Sequence, residues 1–196
     1  LIGAQVFALD ANTGEEVWRT SLSANPNEFV FMQPILYDNV LYVGTSTATY
    51  MGGVKVGFYA LDAATGGVLW MFDTTTDNLW GNARINSGGS IWYGPSVDEA
   101  GNVYFGTGNP GPWPGTEEYP NGSSRPGDNL YSSSMLALDT STGSLRWYVQ
   151  ARPHDLTDMD FQNTPILATV TIDGAPTPLA IGSGKAGVVI AAHAET

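Results

Sequence analysis

Three polar or acidic residues at the borders of one long Gly/Pro-rich stretch are candidate site residues: Asn109, Asp158 and Asp160. A carboxylate can act as a general base, and hard cations take several oxygen ligands. Asp158 and Asp160 stand two apart in His154-Asp155-Leu156-Thr157-Asp158-Met159-Asp160. If that segment is extended, both side chains project to the same side and reach one ion. Asn109 lies in Gly106-Thr107-Gly108-Asn109-Pro110-Gly111-Pro112-Trp113, at the start of a long excursion that runs to Asn129. Prolines at 110, 112, 114, 120 and 126 stiffen that path, which reads as an ordered loop rather than a flexible linker. Most loops in compact domains are about 4–6 residues long, so one of this length implies a task.

Composition removes other chemistries. Seven Lys+Arg against 19 Asp+Glu give a formal charge of −12. Such a chain repels phosphate backbones and anionic lipid, which argues against nucleic acid as a partner. No cysteine is present, so there is no disulfide framework, thiolate metal site or c-type haem attachment. No apolar run reaches the length of a membrane span. Leu1-Ile2-Gly3-Ala4 lacks the charged and apolar regions of a signal peptide.

The elements that must hold these residues are announced by a repeat. Ala8-Leu9-Asp10-Ala11-Asn12-Thr13-Gly14, closing on Trp18, recurs from Ala60 to Trp70 and from Ala137 to Trp147. A further copy starts at Ala191 and is cut off at Thr196, with His193 in the aspartate's place. Each complete copy reads as strand, tight turn, strand: glycine is free to take positive φ, and aspartate can bond the backbone two residues on. Second hairpins turn at Asp38-Asn39, between Asp98 and Asn102, and near Asp173-Gly174. Two hairpins make a four-stranded antiparallel unit, and such units repeating at roughly fifty residues predict β-propeller blades with few helices. The fold class is therefore all-β, a partial β-propeller of four-stranded antiparallel blades, with residues 1–196 as one incomplete domain. Trp18, Trp70 and Trp147 are assigned to packing between blades.

The Ala-Leu-Asp-x-x-Thr-Gly-x-x-x-Trp repeat resembles the tryptophan-docking repeat of quinoprotein alcohol dehydrogenases, eight-bladed propellers that use pyrroloquinoline quinone (PQQ). Non-enzymatic propeller scaffolds share that repeat. The segments between repeats are more specific: Gly88-Gly89-Ser90-Ile91-Trp92, the Gly106–Trp113 run and Arg125-Pro126-Gly127-Asp128-Asn129 resemble the family's cofactor region in the same order. The resemblance implies that Trp92 is the floor beneath PQQ and that Asn109 ligates the metal beside the cofactor. It implies further that Asp158 is the catalytic base and that Lys185 bonds the quinone oxygens. Asp160 is similar to an extra aspartate that marks lanthanide-using members, whereas calcium-using members carry a small neutral residue there. One departure stands out. The family draws a metal-ligating glutamate from a region that here reads Thr45 to Gly53, without an acid, Met51 sitting near the expected position.

The resemblance thus implies a PQQ-dependent alcohol dehydrogenase with Ca²⁺ or a lanthanide ion, oxidising a small or polymeric alcohol to an aldehyde or ketone. It also implies a cytochrome c-type electron acceptor and a periplasmic location. The missing glutamate keeps a second reading open, a propeller scaffold that has lost its cofactor.

Overall fold

The computed structural model describes residues 3–48 and 50–195. Strands β1 (Gln5–Leu9) and β2 (Glu16–Ser21) form a two-stranded sheet. After the short β3 (Glu28–Phe29) come β4 (Ile35–Tyr37) and β5 (Val40–Gly44), the short β6 (Ser46–Thr47), then β7 (Gly57–Asp62) and β8 (Val68–Asp73). A four-residue helical turn, α1 (Asp77–Trp80), and the short β9 (Ser87–Gly88) precede β10 (Ser96–Val97) and β11 (Asn102–Gly106). Then follow the short β12 (Pro110–Gly111), β13 (Ser134–Asp139) and β14 (Leu145–Gln150). The last elements are β15 (Ile166–Ile172), β16 (Ala175–Ser183) and β17 (Val189–His193). Two sheets are complete four-stranded blades in the orders β4-β5-β7-β8 and β10-β11-β13-β14, and β15-β16-β17 form a three-stranded one. All these pairs are antiparallel. This is the expected partial propeller; the last residue of the cut-off fourth repeat, Thr196, lies outside the described residues.

The repeat turns are built as their sequence requires. Asp10 Oδ1 accepts the amides of Asn12 and Thr13, each at 2.8 Å, and Asp62 and Asp139 bond their own turns in the same way. Gly14, Gly66 and Gly143 take φ of 74°, 72° and 70°. At two of them the glycine has another reason. A Cβ on Gly66 would lie 2.4 Å from the Trp18 ring, and one on Gly143 2.6 Å from the Trp70 ring. Each indole therefore lies flush on the turn of the following repeat, and its Nε1–H donates to a carbonyl there: Trp18 to Ala63 (3.1 Å), Trp70 to Thr140 (2.8 Å) and Trp147 to Ala194 (3.0 Å). The three tryptophans tie blade to blade, as their position in the repeat predicts.

Apolar side chains fill the seams. Phe58 and Phe105 stack with ring centroids 4.2 Å apart, joining the two complete blades around Tyr42, Ile91, Leu136 and Leu138. Tyr104, Met135, Phe161 and Ala180 close the next seam, and Val6, Val43 and Leu61 the previous one.

The turn carboxylates make a testable contribution. Hydrogen bonds from turn amides and hydroxyls hold Asp10, Asp62 and Asp139 below the ordinary carboxylate range. A carboxyl depressed in the folded state stabilises above its unfolded pKa of about 3.9, and that contribution disappears as pH falls through the folded value. The melting temperature is expected to fall below about pH 4. The triple variant Asp10→Asn, Asp62→Asn, Asp139→Asn keeps an acceptor in each turn and removes its titration, so its profile should be flatter. An unchanged acid slope would show that these turns do not supply it.

Candidate functional site

The site is made of connections between blades, laced together by backbone. Ile91 N–H donates to Thr45 O (3.1 Å) and Gly108 N–H to Ser90 O (2.7 Å). Phe161 N–H donates to Thr107 O (3.1 Å) and Lys185 N–H to Asp160 O (2.8 Å). Ser90 Oγ also accepts the Thr47 amide at 3.0 Å. Five stretches far apart in sequence, around residues 46, 91, 108, 160 and 185, are thereby fixed side by side.

Asp158, Asp160 and Lys185 meet at one point. Lys185 Nζ donates to Asp158 Oδ2 at 3.1 Å and forms a closer ion pair with Asp160. Asp160 is wholly buried, and its Oδ1 accepts the Asn109 amide at 2.7 Å. A Cβ on Gly108 would come within 3.0 Å of that same oxygen, so a glycine lets the carboxylate sit against the strand end. Asp158 and Lys185 are each 40% exposed and face a cavity. Burial raises the Asp160 carboxyl above the ordinary range, partly offset by Lys185 and the Asn109 amide. Burial alone would lower the Lys185 ammonium, but its bonds to Asp160 and Asp158 prevail and raise it.

The juxtaposition of the two carboxylates is legible in the sequence, but its reason is not. Asp158 has φ of 63°, so the segment is not extended there. A left-handed residue reverses the local direction of the chain, which turns Asp158 outward to the cavity while Asp160 continues inward. They converge on the Lys185 ammonium instead of lying side by side along a strand.

The cavity measures about 450 Å³ and is lined by Trp92, Trp113, Tyr50, Phe29 and Phe31 besides Asp158 and Lys185. Lys185 Nζ stands 5.4 Å from the centroid of the Trp92 ring. Trp113 Nε1–H donates to Tyr50 Oη at 3.2 Å, joining the proline-rich excursion to the segment after β6. Such a volume falls in the usual range of small-molecule sites, and aromatic walls with a few convergent polar groups are their usual make-up. Trp92 is half-buried and belongs to the cavity, unlike Trp18, Trp70 and Trp147.

Asn109 is 1% exposed, and its Nδ2 donates to Pro110 O at 3.0 Å. Its Oδ1 is buried without a hydrogen-bond partner among the described residues. A buried acceptor left unpaired is costly, and a cation beside two carboxylates would satisfy it. The Asn109 amide oxygen and the Asp158 and Asp160 carboxylates are donor types a hard cation takes, and in this structure the two carboxylates pair with the Lys185 ammonium. Met51 is 45% exposed and contributes nothing to the cavity wall. Among the described residues, no three acidic or histidine side chains gather into a metal cage of their own.

His154 shapes the loop, its ring nitrogens lying 3.1 Å from Gly127 O and 3.4 Å from Asn121 O. Phe29, Phe31 and Tyr50 escape a reading of the sequence. Phe29 and Phe31 stand in the continuous apolar run from Phe29 to Met32, a pattern that also describes a buried strand. Arg125 and Asp155 stand inside recognisable motifs, which by themselves assign them no role.

With this geometry in hand, the comparisons with known proteins are specific. A family model for the β-propeller domain of PQQ glucose/ethanol/alcohol dehydrogenases matches residues 28–196. The chain is 31% identical over 95% of its length to quinohemoprotein alcohol dehydrogenase ADH IIB of Pseudomonas putida. It is 32% identical over 97% of its length to the putative dehydrogenase XoxF of Paracoccus denitrificans. It spans 29% and 35% of those two proteins. A solved europium-containing methanol dehydrogenase superposes on the whole chain with a TM-score of 0.83 at 27% identity, the chain covering 37% of it. Among the described residues no helix is long and apolar enough to cross a membrane.

Proposed function

We propose that this chain, which belongs to the β-propeller family of PQQ-dependent glucose/ethanol/alcohol dehydrogenases, supplies the base-bearing side of an alcohol-oxidising site within a longer propeller. In this reading residues 1–196 are one incomplete propeller domain. The observation that carries it is the meeting of Asp158, Asp160 and Lys185 beside the Trp92 face, with the backbone N–H of Asn109 bonded to Asp160 and the Asn109 side-chain oxygen buried and unpaired. A scaffold that only displayed blades would have no reason to bury Asp160 or to leave that amide oxygen without a partner.

Asp158 takes the hydroxyl proton of the alcohol. It reaches into the cavity from a rigid turn, and the adjacent Lys185 ammonium pairs with its carboxylate and orients it. Trp92 presents an indole face to a planar ring system, for which offset stacking is favourable. Lys185, lying over the same indole, can donate to an acceptor that gains negative charge. Asn109, Asp158 and Asp160 would hold the metal. When bound, PQQ supplies the two-electron acceptor for the hydride leaving the carbinol carbon, and Ca²⁺ or a lanthanide ion supplies Lewis acidity. The aromatic walls offer the alcohol's apolar part a surface to lie against. A cytochrome c-type electron acceptor and a periplasmic location belong to the same reading, and the substrate is a small or polymeric alcohol.

The metal choice tests the reading. The resemblance of Asp160 to the extra aspartate of lanthanide-using members supports a trivalent cation, whose charge the added carboxylate suits and for which it would partly replace the glutamate absent between Thr45 and Gly53. The complete propeller loaded with PQQ is expected to turn over alcohol faster with La³⁺ than with Ca²⁺, and Asp160→Ala should weaken La³⁺ binding and abolish the preference. Faster turnover with Ca²⁺, or an Asp160→Ala variant that binds La³⁺ like the wild type, would contradict the lanthanide assignment.

A further inference from the structure

Arg125 is the bulkiest of the fully buried side chains. An always-charged guanidinium is expensive to withdraw from water unless its donors are met, and its flat fork suits acceptors held at fixed angles. Here Nη2 donates to Asp155 O (2.7 Å), Trp113 O (3.0 Å) and Pro112 O (3.2 Å), and Nη1 donates to Asn129 Oδ1. Of its three nitrogens only Nε lacks a hydrogen-bond partner among the described residues. One cation thus joins both ends of the proline-rich excursion to the segment that bears Asp158. Burial lowers its pKa to about 10, opposed by the charge of Asp155, as expected for a site closed to water.

Asp155 continues the connection. It too is wholly buried. Its Oδ1 accepts the Thr157 amide (2.9 Å) and hydroxyl (3.1 Å), and its Oδ2 accepts the Met159 amide (2.6 Å). Those two amides flank Asp158, whose left-handed backbone is disfavoured for a residue with a Cβ and persists only when its surroundings dictate it. The carboxylate of Asp155 holds the amides on either side of Asp158.

We propose that Arg125 and Asp155 are positioning residues for the reaction: Asp155 fixes the turn that aims Asp158 into the cavity, and Arg125 sets that turn against the Trp113 wall. The proposal rests on reading Asp158 as the base. Neither residue lines the cavity, and both act through the backbone they hold. In Arg125→Lys a single ammonium could not span the same acceptors. In Asp155→Asn the side-chain amide could accept from one of the flanking N–H groups but not from both.

The test uses the complete enzyme and the variants Arg125→Lys, Asp155→Asn and Asp158→Asn, with kcat, KM for alcohol and hydrogen exchange across residues 155–160. Asp155→Asn is expected to lose roughly 10–100-fold in kcat with KM nearly unchanged, as misplacement of a reacting group by about 1 Å does. Its amide protection should fall at Thr157 and Met159 while the blades stay protected. Arg125→Lys should lose kcat similarly and raise KM as well, because the Trp113 wall loosens with the turn. If Asp158→Asn is inactive while the other two stay within about twofold of wild type, the positioning proposal is overturned and the base reading stands. If Asp158→Asn retains wild-type kcat, the base reading fails and the proposal with it. Protection lost evenly across both four-stranded sheets would show a merely structural role and would also overturn it. Should Arg125→Lys fail to fold, Asp155→Asn decides by the same criteria.

Discussion

Asp158→Asn is expected to lower kcat by about 10²–10⁴-fold, the usual contribution of a positioned general base, while PQQ binding changes little. The substitution keeps the size of the side chain and an oxygen able to accept from Lys185, so the cavity and the neighbouring ion pair with Asp160 persist. What it removes is the group able to accept the hydroxyl proton. Its effect should therefore appear in kcat far more than in KM, since the proton moves only in the transition state. Rapid mixing of the PQQ-loaded variant with alcohol separates the two. A loss seen entirely in KM would move Asp158 from catalysis to binding.

Trp92→Ala and Trp70→Ala are expected to fail in opposite ways. Trp70 packs against Tyr42 and Phe58, each with ring centroids 6.0 Å away, and lies on Gly143 while bonding Thr140. Truncating it opens a hole in the seam between the two complete blades and should cost about 3–5 kcal/mol, as large-to-small core changes do. Trp92 instead lines the cavity beneath Lys185. Its truncation should leave unfolding by denaturant almost unchanged and weaken PQQ binding by roughly tenfold or more, the worth of a lost stacking surface. Paired titrations of stability and PQQ affinity decide. Equal PQQ affinity in both folded variants would remove Trp92 as the floor.

Much of this architecture was legible in the sequence because its cause is local. Asp-x-x-Thr-Gly dictates a turn through bonds made within five residues, and its recurrence dictates the blades. The docking of Trp18 on Gly66 follows from the same repeat. Trp92, Asn109, Asp158 and Lys185 are singled out by the motifs that surround them, and contacts through Asp160 and Lys185 link them in the fold. What stayed hidden depends on distant contacts. Asp77, Asn78, Leu79 and Trp80 form a left-handed turn with φ between 47° and 60°. Each such residue is disfavoured by roughly 1–2 kcal/mol, so no local signal foretells it. Trp80 Nε1–H to Leu130 O (2.7 Å) and Asn86 Nδ2–H to Leu79 O (2.8 Å) hold it, from residues 50 and 7 positions away. Arg125 is hidden for the same reason: the carbonyls that meet it come from Pro112, Trp113 and Asp155.

The central claim is that these residues serve an alcohol-oxidising PQQ site rather than a scaffold, and a single-turnover measurement tests it most directly. The complete propeller, loaded with PQQ and a lanthanide and given alcohol without any other electron acceptor, should convert one alcohol to its carbonyl product per bound PQQ, and Asp158→Asn should slow that conversion by about 10²-fold or more. Failure to bind PQQ, or bound PQQ that alcohol leaves oxidised in the wild-type protein, would contradict the account.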